Sequence, residues 1–314
     1  MEKIAVIDLG TNTFHLLIVE SDGYDTKVLL KEKSSVKIGQ GGITKGFITG
    51  DAYERAINAL KLFKTIIDEY EVQRVYTAAT SAIRNARNGY HLIKDIKAQT
   101  DIDVMVISGQ KEAELIYYGV RTAMDLGKST SLVIDIGGGS VEFILCNKDT
   151  IFWKTSIEIG AQRLLDTFTP QDPISGQDIA KVSAYLDEKM APLFEATQQW
   201  KPSTLVGASG TFDTFADIDL HKKEAYRTIE EEHEYTLSFD SFKSILQELT
   251  SKTREERMEI PGMQEMRVDM IVLSSLLIDL IIHKIPLQKM RVSGYALKEG
   301  LLYKVLKGEP IEAE

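Results

Sequence analysis

A chain of 314 residues has room for about two domains at roughly 150 residues each. Hydrophobic residues make up 43% and charged residues 27%, and the 22 Gly and 7 Pro follow no period, so disordered and collagen-like chains are excluded. The formal net charge of -10 argues against a general nucleic-acid binder, and the single cysteine, Cys146, rules out an internal disulfide and a cysteine-built zinc site.

Residues 4–7 open the chain as an apolar strand with no signal-peptide core ahead of it, so the cytoplasm is the expected location. A second strand follows at 16–19. Lys27, Lys31, Lys33 and Lys37, around Glu32, read as a solvated strand edge or as a basic stretch guiding a polyanion. Residues 51–69 place Ala52, Ile57, Leu60, Phe63 and Ile67 close to a 3.6-residue period, the mark of a helix. A strand is predicted at 74–79, a helix at 81–97, a strand at 102–107 and a helix at 112–124. The short polar stretch 126–131 is the candidate crossing between halves. Strands at 133–135, 141–145 and 151–157 precede helices at 161–168 and 176–199, then a strand at 203–206 and a helix from Phe212. The apolar run 268–285 is broken by Asp269, Asp279 and His283, which favours a buried helix over a membrane span. Strand and helix alternate throughout, the pattern of α/β layers.

The most informative feature is an internal repeat. Val6-Ile7-Asp8-Leu9-Gly10-Thr11-Asn12-Thr13-Phe14-His15 aligns without a gap on Val133-Ile134-Asp135-Ile136-Gly137-Gly138-Gly139-Ser140-Val141-Glu142. Each copy is a strand, a tight turn and a second strand, hence a β-hairpin with small residues at its tip. Gly137, Gly138 and Gly139 can present consecutive N–H groups with no side chain in the way, and Ser140 adds a hydroxyl. The loop is not a Walker loop, lacking Gly-Lys-Ser/Thr, and not a dinucleotide fingerprint, because its glycines lead into a strand. A turn made only for geometry has the same composition; the pairing of two copies favours phosphate binding. Thr11, Asn12 and Thr13 form the corresponding tip of the first copy.

Asp8 and Asp135 each end a buried strand. A carboxylate beside bound phosphate is costly unless a cation neutralises it, and Mg²⁺ (or Mn²⁺) is the expected one, with Glu142 as a further ligand. The alternative for each Asp is a turn residue bonding its own backbone. Gly207-Ala208-Ser209-Gly210-Thr211 is a third small-residue loop. It serves equally as an anion site, through Gly207, Ser209 and Gly210, or as a plain helix cap.

These segments, with Ile107-Ser108-Gly109-Gln110-Lys111-Glu112-Ala113 and Ala296-Leu297-Lys298-Glu299-Gly300, resemble the exopolyphosphatase/guanosine pentaphosphate phosphatase (Ppx/GppA) family of the actin-like ATPase superfamily. The five matches stand in the family's order. The resemblance implies an α/β protein of two tandem ribonuclease H-like (actin-like ATPase) domains with an interdomain active-site cleft. The first would span residues 1–125, joined by a C-terminal helix at about 297–314, and the second 126–296. It further implies a Mg²⁺-dependent hydrolase releasing terminal phosphate from polyphosphate or guanosine pentaphosphate (or binding the tetraphosphate), with no nucleic-acid or membrane partner and a possible homodimer.

The family's catalytic glutamate corresponds to Glu112. Leu115, Ile116 and Gly119 lie at i+3, i+4 and i+7 from it, so this carboxylate shares the inward helix face and gains basicity by burial; a first-turn Glu complementing the helix dipole has the same spacing. Arg84 corresponds to a phosphate-binding arginine, with Arg87 as an assistant or a surface residue. Lys111 replaces an acidic residue of many members and could alter divalent-ion affinity. His15 reads as a packed histidine, and Arg267 and Asp269 as structural. The larger members have a further C-terminal region that this chain lacks, so shorter polyphosphates or nucleotides are expected. A phosphotransferase of the same superfamily and a non-hydrolytic alarmone-binding regulator are the alternatives.

Overall fold

The computed structural model describes residues 1–23, 25–225 and 228–311. The first sheet has the order β3-β2-β1-β4-β5, built from β1 (Glu2–Leu9), β2 (Phe14–Ser21), β3 (Thr26–Ser34), β4 (Arg74–Ala79) and β5 (Met105–Val106). Helices α1 (Gly50–Glu69), α2 (Ser81–Arg84), α3 (Gly89–Thr100) and α4 (Gly109–Ala123) complete this half. After the crossing at 124–130, the second sheet contains β6 (Ser131–Ile136), β7 (Val141–Cys146), β8 (Ile151–Ile157), β9 (Thr204–Ala208), β10 (Glu234–Leu237) and β11 (Lys289–Ser293). Its order is β10-β11-β9-β6-β7-β8. Between its strands run α5 (Ala161–Phe168), α6 (Gly176–Lys189), α7 (Ala191–Trp200), α8 (Ser209–Lys222), α9 (Ile229–Glu232), α10 (Phe239–Ser251), α11 (Arg254–Met258) and α12 (Ile271–Lys284). Helix α13 (Leu297–Leu306) closes the chain.

The duplication extends to topology. Both halves open with an antiparallel three-stranded meander whose first strand pairs in parallel with a later one, so β8-β7-β6-β9-β11 repeats β3-β2-β1-β4-β5. Asp8 faces His15 across the first hairpin and Asp135 faces Glu142 across the second, the register of the ungapped alignment. The middle strands are continuous apolar runs because helices cover both faces. At the edge, β3 is exposed or half-buried along its whole length, as its lysines require.

A third apolar core joins the two sheets. Val6 and Ala78 of the first and Val133 and Val206 of the second pack on Leu115 and Ile116 of α4 and Leu301 of α13. The two helices meet backbone to backbone. A Cβ on Gly119 would lie 1.9 Å from the Ala296 carbonyl oxygen, and one on Gly300 would lie 1.7 Å from that of Leu115.

Several predicted elements differ from the structure. The helix at 81–97 is two, α2 and α3, because the Asn88 side chain bonds the backbone N–H and carbonyl of Ile48 at 2.9 Å each instead of continuing a helix. The helix at 176–199 breaks at Met190, with Pro192 in the first turn of α7. The strand at 102–107 shrinks to β5, and α8 begins at Ser209 rather than Phe212. Helix α13 ends at Leu306, short of the expected 297–314, with Gly308 at φ +66° and Pro310 following; positions 312–314 lie outside the described residues. Helix α12 is buried on nearly every side, and among the described residues no helix is long and apolar enough to cross a membrane.

Gly119→Val or Gly300→Val should lower unfolding free energy by about 1–3 kcal/mol or more, the usual cost of overpacking. Urea titration checks this; wild-type midpoints would show that the helices do not need their backbone contact.

Candidate active site

The two hairpin tips meet in the crevice between the sheets. A Cβ on Gly138 would stand 2.5 Å from Asn12 Nδ2 and 2.9 Å from Thr11 Cβ, and one on Gly139 would stand 2.4 Å from Ser81 Oγ. Bare glycine backbone is therefore needed for the halves to close this far. Asn12 reaches on across the crevice and donates from Nδ2 to Met270 Sδ at 3.0 Å.

The glycine loop is oriented by α5. Carbonyl oxygens of Gly137, Gly138 and Gly139 accept from the backbone N–H groups of Gly160, Ala161, Gln162 and Arg163 at 2.9–3.1 Å. Because each trans peptide sets its N–H opposite its C=O, the N–H groups of residues 138–140 turn away from α5, toward the crevice. In the first hairpin the carbonyls of Thr11 and Asn12 are likewise held from behind, by the N–H groups of Gly39 and Lys37 at 3.1 and 2.8 Å. The result is a concave set of backbone N–H groups from both halves, an arrangement able to hold an anion. It opens into a cavity of about 390 Å³.

Around this cavity the fold crowds carboxyl groups. Burial, then the charge of Glu112, push Asp8 up to about 8, and its Oδ1 is buried with no hydrogen-bond partner. Burial raises Glu112 to about 7; Arg84 opposes this, while Asp135 and Glu158 reinforce it. Asp135 is raised by burial, although Ser209 Oγ donates to its Oδ2 at 2.6 Å. Glu142 is pushed well above the ordinary range by burial and by Glu112 and Asp135, and accepts from Ser156 Oγ at 2.7 Å.

Cations face them. Arg84 Nη1 donates to Glu112 Oε2 at 2.9 Å and to the Ile107 carbonyl at 3.0 Å. Lys298, paired with Glu299 at 2.9 Å, and Arg267, whose guanidinium fills the space a Gly210 side chain would occupy, also line the cavity. Their charges, after burial, hold His15 well below its usual value, so this histidine is neutral.

Of the predicted residues, Thr11, Asn12, Thr13, Gly137, Gly138, Gly139, Ser140, Ser209, Gly210, Asp8, Asp135 and Glu112 line one cavity. Arg84 and Glu142 stand behind it, Arg84 bonded to Glu112 and Glu142 to Ser156. Gly207 is not brought to the cavity: it lies inside β9, where a Cβ would meet the Phe212 ring at 2.0 Å, so it makes room for that ring. Arg87 is turned to the Lys45 carbonyl, and Lys111 pairs with Glu114 at 3.2 Å outside the cavity. Lys31 and Lys33 of the strand edge reach the cavity mouth. Asp269 ties down Arg254 at 2.7 Å, a structural role, whereas Arg267 faces the cavity instead of bracing a helix. Sequence reasoning assigned Lys298 no role, although it stands in one of the matched segments.

Four carboxyl groups with raised pKa, three of them buried, fit a divalent cation, and the buried Asp8 Oδ1 without a hydrogen-bond partner is a free donor. Among the described residues no three His, Cys, Asp or Glu side chains form a ready-made cage. Mg²⁺ needs none, since it binds through one or two carboxylates with water and phosphate oxygens.

Comparison with known proteins identifies the family and the fold. A crystal structure of an exopolyphosphatase from Cytophaga hutchinsonii superposes with a TM-score of 0.96 at 45% identity, over 98% of this chain and 99% of that one. The Aquifex aeolicus Ppx/GppA family member gives a TM-score of 0.80 at 25% identity, covering 99% of each. A putative exopolyphosphatase of Haemophilus influenzae is 29% identical over 308 residues, 98% of this chain and 92% of its own. The model of the Ppx/GppA phosphatase family matches residues 17–309, and the chain belongs to that family.

Proposed function

We propose that this protein is a Mg²⁺-dependent hydrolase that removes the terminal phosphate of inorganic polyphosphate or of guanosine pentaphosphate. The observation that carries the reading is Glu112, a carboxylate titrating near neutrality at the wall of a cleft whose floor is a two-sided phosphate cradle. The exopolyphosphatase relatives support a polyphosphate substrate.

Terminal phosphate oxygens lie against the N–H groups of residues 138–140 and the first hairpin tip. Glu112 accepts a proton from a water aimed at the end phosphorus, opposite the leaving oxygen. Arg84 holds the Glu112 carboxylate in one orientation through Nη1. Arg267 and Lys298 offset negative charge on the phosphate chain, and neutral His15 adds none. Asp8, Asp135 and Glu142 would hold the divalent ion, which spreads the charge that develops on the phosphoryl oxygens. Ser209 fixes one oxygen of Asp135, leaving the other for this purpose.

Glu112→Gln should reduce turnover by about 10²–10⁴-fold with substrate binding retained; wild-type turnover in that variant removes Glu112 from the mechanism. Phosphate release from polyphosphates of graded length and from guanosine pentaphosphate, with Mg²⁺ and no acceptor, tests the hydrolase itself. Release that appears only when a hydroxyl acceptor is supplied makes the protein a phosphotransferase.

A third expectation concerns stability. Asp8 titrates at about 8 in the fold against 3.8 ordinarily, so its contribution is complete below about pH 4 and is lost as pH rises through 8. Metal-free protein should therefore melt at a lower temperature at pH 8 than at pH 5, and added Mg²⁺ should raise Tm more at pH 8. Equal Mg²⁺ shifts at both values would take Asp8 out of the cation site.

A further inference from the structure

Beside the cleft, on the far side of Arg84, three anion-binding donors converge on one side chain. Glu158 Oε2 accepts from Ser81 Oγ at 2.7 Å and from Arg163 Nη2 at 2.6 Å, and Glu158 Oε1 accepts from Arg84 Nη2 at 3.3 Å. Ser81 lines the cavity and stands against Gly139, while Arg163 Nε donates to the Gly139 carbonyl at 3.0 Å. The cluster is thus continuous with the phosphate cradle. One Nη2 from each of two arginines and a hydroxyl surround this carboxylate, while the remaining guanidinium nitrogens bond Glu112 and the carbonyls of Ile107, Gly139 and Ile43; such cationic donors also suit a phosphate oxyanion.

Arg84 already pairs with Glu112 and Glu158, and Arg163 with Glu158, so an incoming phosphate must displace a carboxylate. The Glu112 side chain is 10% exposed, and that of Glu158 is 41% exposed. Glu158 already reaches water, so leaving its arginines disturbs the site less than withdrawing the more buried Glu112 would. Glu112 cannot leave without breaking the arrangement that makes it basic.

We infer that Ser81, Arg84 and Arg163 form a further phosphate subsite for which the Glu158 carboxylate is a built-in competitor, so that Glu158 sets how tightly phosphate is held there. This rests on the phosphohydrolase reading for its substrate class, but the binding measurement needs no turnover. In Glu158→Gln, inorganic phosphate titrated calorimetrically into metal-free protein should bind roughly tenfold more tightly than in wild type. KM for a short polyphosphate should fall, with kcat changed less, and Glu158→Gln/Arg163→Gln should lose the gain. Should Glu158→Gln not fold, Glu158→Asp, which withdraws the carboxylate from all three donors by one methylene, carries the same expectation. Phosphate affinity that is unchanged or weaker in a folded single variant, or a gain that survives loss of Arg163, overturns the proposal. A protein that binds phosphate as expected but releases none from any substrate would refute the hydrolase reading alone.

Discussion

Uncompensated negative charge is the constraint around which this molecule is organised. Asp8, Glu112, Asp135 and Glu142 come from four elements in the two halves, and desolvation raises the pKa of all four while Glu112 and Asp135 push their neighbours further. Such a set is tolerated only where protons, arginines or a metal ion relieve it. Arg84, Arg267 and Lys298 supply part of that relief from three different directions.

The carboxylates can meet because backbone approaches backbone at two places. At the base of the crevice, Gly119 and Gly300 let α4 lie directly on α13, so that the sheet-joining core is packed without intervening side chains. Between the hairpin tips, Gly138 and Gly139 admit Asn12, Thr11 and Ser81 of the other half. Helix α4 carries Glu112 one turn after its Ser108 cap, so the packing at Gly119 fixes where this carboxylate points.

Much of this was legible in the sequence because the fold repeats itself. The ungapped match of the two hairpins anticipated paired sheets, converging tips and the Asp8–Asp135 correspondence, and the 3.6-residue period placed Glu112 on the inward face of α4. What escaped were features set by distant partners. Nothing near Asn88 announces that its amide will bond Ile48 and split a helix. Gly207 looked like a loop residue, but its use is to clear space for Phe212, a packing fact with no local signature. Arg267 and Lys298 are ordinary cations in one dimension. Only tertiary packing, with Arg267 laid against Gly210 and Lys298 beside Glu299, sets them at the cavity.

The divergence between the repeats acquires a meaning from the contact of Asn12 with Gly138. Two tips both built like Thr11-Asn12-Thr13 would collide before the halves met, and two built of glycine alone would leave a gap with no side chain to span it. Closure requires one bulky and one bare tip. An exchange of loops between the halves, though conservative in composition, would therefore unseat the joint, since each copy has become the mould for the other.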